Sequence, residues 1–221
     1  MISSCHNTQQ IRHLDSSDLD SYVRGGNPLL VIISGPSGAG KDSVVKRMKE
    51  LGYPFHFVIT ATTRPPRQGE QDGVDYFFLS DQAFQDLIDQ DELLEHALVY
   101  GEHKGIPKQQ VRQALASGMD VIMRVDVQGA ATVRGLVPDA ILVFLIPDSE
   151  KGMLQRLRSR KTETDATLQR RVATMREELK RIKEFDYVVV NRDGQLDCAV
   201  EAIVAIMRAE KCRARPREVH L

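Results

Sequence analysis

Between positions 29 and 190 the chain alternates between two kinds of segment: short apolar runs rich in β-branched residues, and longer stretches whose apolar residues recur every three or four positions. The runs at 29–34, 121–126 and 140–146 read as strands buried on both faces of a parallel sheet. A further run at 187–190 reads as the last strand, and 56–61 as the second in chain order. Helical spacing follows the first strand, with apolar residues at Val44, Val45 and Met48. Pro107 opens another helix that ends near Gly118, and a last one starts near Leu196. The helix between the strands at 121 and 140 makes that pair a parallel crossover unit. The fold class expected is α/β, a parallel β-sheet flanked by helices.

From about Thr60 to Gly105 the pattern turns polar and short-stranded, which predicts an inserted subdomain. It holds a short strand at 76–79, and a helix capped by Ser80 or Asp81 that carries Phe84, Leu87 and Ile88. Residues 92–99 read as extended. Further on, helical patterns at 150–160 and from about Thr167 to Phe185 flank a charged bridge, 160–165, with almost nothing to bury; it is expected to be mobile.

The junction of the first strand and helix carries the first chemistry. Gly35-Pro36-Ser37-Gly38-Ala39-Gly40-Lys41 fits the phosphate-loop pattern G-x-x-x-x-G-K, in the strand–turn–helix context that the mechanism needs. Glycines let backbone N–H groups close around a phosphate, the helix adds its positive end, and Lys41 reaches the β- and γ-phosphates. The next residue is normally Ser or Thr, whose hydroxyl binds Mg²⁺; here it is Asp42, followed by Ser43. Beside a triphosphate Asp42 is a like charge, which favours a role on Mg²⁺, direct or through water; the alternative is a helix cap turned toward solvent.

A chain of 221 residues suffices for one substantial core. Its net charge of −1 points to neither nucleic acid nor a membrane as partner. The apolar run at 140–146 is far too short to span a bilayer. Cys5, Cys198 and Cys212 lie far apart without metal-ligand spacing, so free thiols in a reducing compartment, the cytoplasm, are expected. Residues 1–28 are polar, carry Asp15, Asp18 and Asp20, and read as an extension that is neither a secretory signal nor a transit peptide. Residues 211–221 read as a basic, solvated tail.

Within the insert, Arg64 and Arg67 flank Pro65 and Pro66, on a stiff stretch suited to presenting guanidinium forks to phosphate; ordinary surface charges are the alternative. The run 62–70, TTRPPRQGE, followed by DGVDYFF at 72–78, resembles the GMP-binding signature of guanylate kinases. The likeness continues through Leu94-Glu95, Gly101, 126–130 and 185–191, and covers nearly all of 30–210. It implies a P-loop nucleoside-monophosphate-kinase fold: a core at 29–59 and 107–210, a GMP-binding insert at about 60–106, and a helical lid at about 156–171. It further implies ATP as donor, GMP and dGMP as acceptors, Mg²⁺ as cofactor, and a monomer or small homo-oligomer. By the resemblance, Arg64, Arg67 and Tyr76 hold the GMP phosphate, Glu70 supports them, and Thr60 and Glu95 read guanine. Guanine presents two donors, N1–H and the exocyclic amine, which one carboxylate accepts together.

The resemblance also implies that Lys41, the lid arginines Arg160 and Arg171, and Asp126 carry the catalysis, with Asp42, Ser43 and Asp126 toward Mg²⁺. Three positions depart from the family. Lys104 stands where a phosphate-touching tyrosine is common, and can replace it as a point charge. Ile106 stands where a serine is common and donates nothing. Arg124 replaces an acid, and either pairs with Asp126, contacts a phosphate or balances local charge. With Asp42, these departures resemble the plant-organelle and cyanobacterial branch. Two rivals remain: a non-catalytic guanylate-kinase-like module, and a ribose bisphosphate phosphokinase, which also places Asp after the loop lysine.

Overall fold

In the computed structural model, residues 26–99, 101–149, 152 and 165–221 are described, with side chains described for 26–98, 101–149, 152 and 172–221. Of the helical pattern expected at 150–160 only Gly152 is described, and of the bridge 160–165 only Asp165; Arg156 and Arg160 fall outside the described residues, as does the side chain of Arg171.

The main sheet has five parallel strands in the order β2-β7-β1-β8-β9. They are β1 (Leu30–Ser34), β2 (Phe55–Phe57), β7 (Asp120–Arg124), β8 (Ile141–Pro147) and β9 (Tyr187–Asn191). The central strand β1 pairs Ile32 with Met123 on one side and with Leu142 on the other. Both of its faces are covered, which is why its sequence is a continuous apolar run. Val31 and Ile33 pack into a layer with Val44 and Met48 of α1 (Lys41–Glu50) and Ile203 and Met207 of α6 (Leu196–Lys211). Leu30 and Ile32 face the opposite layer, with Val111 of α3 (Lys108–Ala116) and Ala130 and Val133 of α4 (Val127–Leu136). The period of two along β1 thus sorts its residues between the two helical layers.

The insert forms a second sheet, in the order β4-β3-β6-β5: β3 (Ala61–Thr62), β4 (Phe77–Phe78), β5 (Leu93–Val99) and β6 (Glu102–Pro107). Helix α2 (Asp81–Asp89) closes it, with Ser80 Oγ accepting the Ala83 N–H at 3.1 Å. Phe84, Ala61 and Leu93 make its small core.

Three expectations need correction. The strand at 56–61 is two strands in two sheets: after Val58 N–H donates to Ile122 O, the chain leaves the main sheet. Ile59 is then held by one side chain, its N–H donating to Gln110 Oε1 at 2.8 Å and its carbonyl accepting from Gln110 Nε2 at 2.7 Å. The amide imitates a neighbouring strand, so the switch costs no backbone hydrogen bond. Second, β6 has no counterpart in the sequence reading, because Glu102-His103-Lys104 is polar; it forms because β3 and β5 satisfy it from both sides. Third, the basic end is tied down. Lys211 pairs with Asp120 at 2.9 Å, and Arg217 reaches Glu210 with Nε at 2.8 Å and Nη2 at 3.1 Å. Glu210 is only 2% exposed, so burial of an acid on α6 recruits the arginine as its partner.

The long helix expected from Thr167 to Phe185 is α5 (Asp165–Lys180), followed by a 3₁₀ turn, Arg181–Glu184.

Candidate active site

The phosphate loop leaves β1 at its C-terminal end, on the side where open α/β sheets hold their ligands. Gly35 has φ +138°, and a Cβ there would lie 2.1 Å from Leu145 O of β8; only glycine fits. The loop closes on itself through Ala39 N–H to Pro36 O at 3.1 Å. Asn191, buried at the end of β9, braces it by donating Nδ2–H to Ala39 O at 2.9 Å. Ser37 and Gly38 are half-buried on the rim, and Gly40 is the N-cap of α1. Lys41 Nζ folds back onto the carbonyls of Gly35 and Pro36. Burial pulls its pKa below the ordinary lysine value, against the opposing pull of Glu178 and Asp42.

Glu178 was not among the sequence candidates. It projects from α5, the helix that carries Arg171, toward Lys41 and the Ser37 N–H. Burial pushes its carboxyl upward, Lys41 opposes that, and Oε2 is buried without a hydrogen-bond partner among the described residues. Only the packing of α5 over the loop brings it there; spacing along the chain contains no such signal.

Asp42 and Ser43 occupy the exposed first turn of α1. The open question about Arg124 has a definite answer: it pairs with Asp42, across 82 residues of sequence, and not with Asp126. Asp126 lies beyond β7 and not within it, as the N-cap of α4, where Oδ1 accepts the Gly129 N–H at 2.7 Å. From that position it acts electrostatically on both Lys41 and Glu95.

In the insert, Arg64 is 6% exposed and fully engaged. Its Nη1 and Nη2 donate to Glu70 Oε2 and Oε1 at 2.7 and 2.6 Å, and Nη1 also donates to Pro65 O at 2.9 Å. The guanidinium stacks 4.7 Å from the Tyr76 ring centre and 5.5 Å from that of Phe78. Glu70 further accepts the Arg67 N–H at 2.7 Å, and its carboxyl is held down at about 2, by the Arg64 hydrogen bonds first. The Arg67 side chain stays exposed. Lys104 lies on β6 opposite Thr62, half-buried, while Ile106 is buried in the core layer beneath.

Glu95, on β5, points toward α4. A Cβ on Gly129 would come within 3.2 Å of its carboxyl carbon, so this glycine makes room for the acid. Burial, with Asp126 adding to it, raises the Glu95 pKa to about 7. Thr60 lines a cleft of about 310 Å³ with Glu70, Tyr76, Asp42 and Arg124. The first turn after the phosphate loop, through Asp42, and two members of the insert's cradle, Glu70 and Tyr76, therefore line a single cleft. Among the described residues no cluster of three or more His, Cys, Asp or Glu could hold a metal by itself.

The guanylate kinase family model matches residues 27–210. Guanylate kinase 2, chloroplastic/mitochondrial, of Oryza sativa is 51% identical over 195 residues, covering 88% of this chain and 68% of its own. The guanylate kinase of Desulfitobacterium hafniense is 40% identical over 187 residues, covering 85% and 92%. The crystal structure of guanylate kinase from Anaplasma phagocytophilum aligns with a TM-score of 0.67 at 25% identity, over 85% of this chain and 88% of that one. A glycine-rich loop between the central parallel strand and its helix, with a small second sheet inserted after the second strand, agrees with those likenesses, and the chain belongs to the guanylate kinase family.

Proposed function

We propose that this protein transfers the γ-phosphoryl group of ATP to GMP, and to dGMP, giving ADP and the guanosine diphosphate. The observation that carries the reading is the shared cleft, with Asp42 on the donor side and Glu70 and Tyr76 on the acceptor side. Phosphoryl transfer passes through a loose transition state, so catalysis rests on positioning and on charge. The loop amides from Gly38 to Ser43 and Lys41 hold the donor phosphates. Arg64, Arg67, Tyr76 and Lys104 hold the acceptor phosphate, and Glu70 keeps Arg64 in place. Thr60, which lines the cleft with Glu70 and Tyr76, joins Glu95 in reading guanine. Glu95 reads guanine N1–H and the exocyclic amine, with Asp126 beside it.

Mg²⁺ suits the donor set, because it keeps several waters and needs only one or two carboxylates besides substrate phosphates. Asp42 is 66% exposed in its side chain, next to the loop lysine, and Asp126 and Ser43 complete the set. Bound with ATP, the ion supplies positive charge to the phosphate oxygens. Arg160 and Arg171, from the lid, stabilise the transferring phosphoryl group, and lid closure excludes water. Asp42 after the loop lysine, together with Lys104, Ile106 and Arg124, resembles the plant-organelle and cyanobacterial branch, a reading that the 51% identity to the rice chloroplastic/mitochondrial protein supports. The state proposed is a monomer or small homo-oligomer, without nucleic-acid or membrane partners. No helix among the described residues is long and apolar enough to cross a membrane. Cys198 and Cys212, free and exposed, suit a reducing compartment, read as the cytoplasm.

The test is Glu95→Gln. The amide faces guanine's donors with a donor of its own, and kcat/KM for GMP is expected to fall by about 10³-fold or more while ATP affinity is retained. Unchanged kcat/KM for GMP would remove Glu95 from the base site.

A further inference from the structure

The pairing of Asp42 with Arg124 joins two residues that the phosphate-loop pattern does not explain. Asp42 is the first-turn residue of α1, and Arg124 ends β7, one strand over from β1. Both line the cleft with Thr60, Glu70 and Tyr76. Arg124 is also near enough to Lys41 to push its pKa down. It thus shares the cleft with Glu70 and Tyr76 of the acceptor cradle while acting on the donor lysine. Its side chain remains 37% exposed, so the fork is not locked in place by packing as that of Arg64 is.

Arg64 spends both of its Nη groups on Glu70 and Pro65, which leaves it few donors for a ligand. A guanidinium with free reach is what the acceptor phosphate lacks on the donor side. We propose that Arg124 is a further acceptor-phosphate-positioning residue, and that Asp42 holds it in reserve. In the empty cleft the carboxylate neutralises the arginine. An arriving phosphate dianion competes for the same fork, since guanidinium matches phosphate as well as it matches carboxylate. The exchange costs little, because an exposed ion pair is weak. This proposal rests on the acceptor-site reading above and adds to it a residue at which the usual family acid is absent.

The two residues oppose one another in this account, which a metal-free binding cycle exposes. GMP binding to the full chain is measured by calorimetry in EDTA, for the wild type, Arg124→Met, Asp42→Asn and the double variant, with thermal denaturation confirming that each is folded. Arg124→Met keeps the apolar stem and is expected to weaken GMP binding roughly tenfold or more. Asp42→Asn releases the arginine and is expected to tighten binding roughly two- to fivefold. That gain must vanish in the double variant. Arg124→Lys, which keeps the charge without the fork, should fall between wild type and Arg124→Met. Arg124→Met at wild-type affinity, or an Asp42→Asn effect that persists without Arg124, would overturn the proposal and leave a pair that only balances charge. Glu95→Gln, measured alongside, separates the two levels. If it loses GMP while Arg124→Met does not, only this proposal falls; if neither loses GMP, the acceptor site itself has been misplaced.

Discussion

Arg64 and Glu70 form a two-pronged ion pair, at 2.6 and 2.7 Å, with the guanidinium lying against the Tyr76 ring and Glu70 also closing the turn through the Arg67 N–H. One carboxylate thus sets both the rotamer of Arg64 and the backbone that presents Arg67. Rigid presentation of this kind lowers the entropy lost when a phosphate binds.

Glu70→Gln should therefore raise KM for GMP by about ten- to a hundredfold, with ATP affinity unchanged, because it loosens the cradle without touching the phosphate loop. Steady-state kinetics in GMP, with a nucleotide-binding titration for ATP, makes the check. Equal damage to both substrates would mean that the insert as a whole had come apart. The pair should also survive acid: a carboxyl at about 2 remains ionised well below the range in which free carboxylates are lost.

Glu95 predicts a pH signature. Its pKa is raised from 4.5 to about 7 by burial and by Asp126, so at pH 6 the acid is mostly protonated in the empty site. Guanine's donors require the carboxylate, so binding must expel the proton. GMP affinity is expected to rise from pH 6 to pH 8, by about tenfold per pH unit at most, with proton release seen as buffer-dependent binding heats. The stability linkage runs the opposite way: this group's contribution to the empty fold is complete below about 4.5 and is lost as pH rises through about 7. Glu95→Gln should abolish the proton release, and a wild type that released none would contradict the assignment.

A third prediction concerns the end of the chain. Arg217→Ala strands Glu210, buried on α6, with fewer cations to face. The expected cost is on the order of 3 kcal/mol, about 6–12 °C in Tm for a chain of this size. Kinetic constants should stay near wild type, since the contact lies away from the cleft. Replacing both residues by leucine should cost less than Arg217→Ala alone. A Tm unchanged by Arg217→Ala would return the tail to solvent.

Much of this was legible in the chain because its signals are local. The strands at 30–34, 120–124 and 141–147 are buried on both faces, so each appears as an apolar run, and the phosphate loop needs seven consecutive residues. What escaped depends on partners distant in sequence. The polar strand at 102–107 exists only because two neighbours satisfy its backbone. The split near Ile59 depends on Gln110, 51 residues on. Glu178 faces the loop through helix packing, and Arg124 found Asp42 rather than the nearer Asp126 because strand and helix ends meet at the cleft. Arg160 and the side chain of Arg171 lie outside the described residues, so their lid roles rest on resemblance alone.

The most direct test of the account is ADP production from ATP in a coupled assay with Mg²⁺, offering GMP, dGMP, AMP, UMP and ribose 1,5-bisphosphate in turn. Activity with GMP and dGMP alone, lost on replacing Lys41 by Met, is the predicted result. Turnover of AMP or ribose 1,5-bisphosphate in preference to GMP, or silence with all five in folded protein that binds GMP, would contradict it.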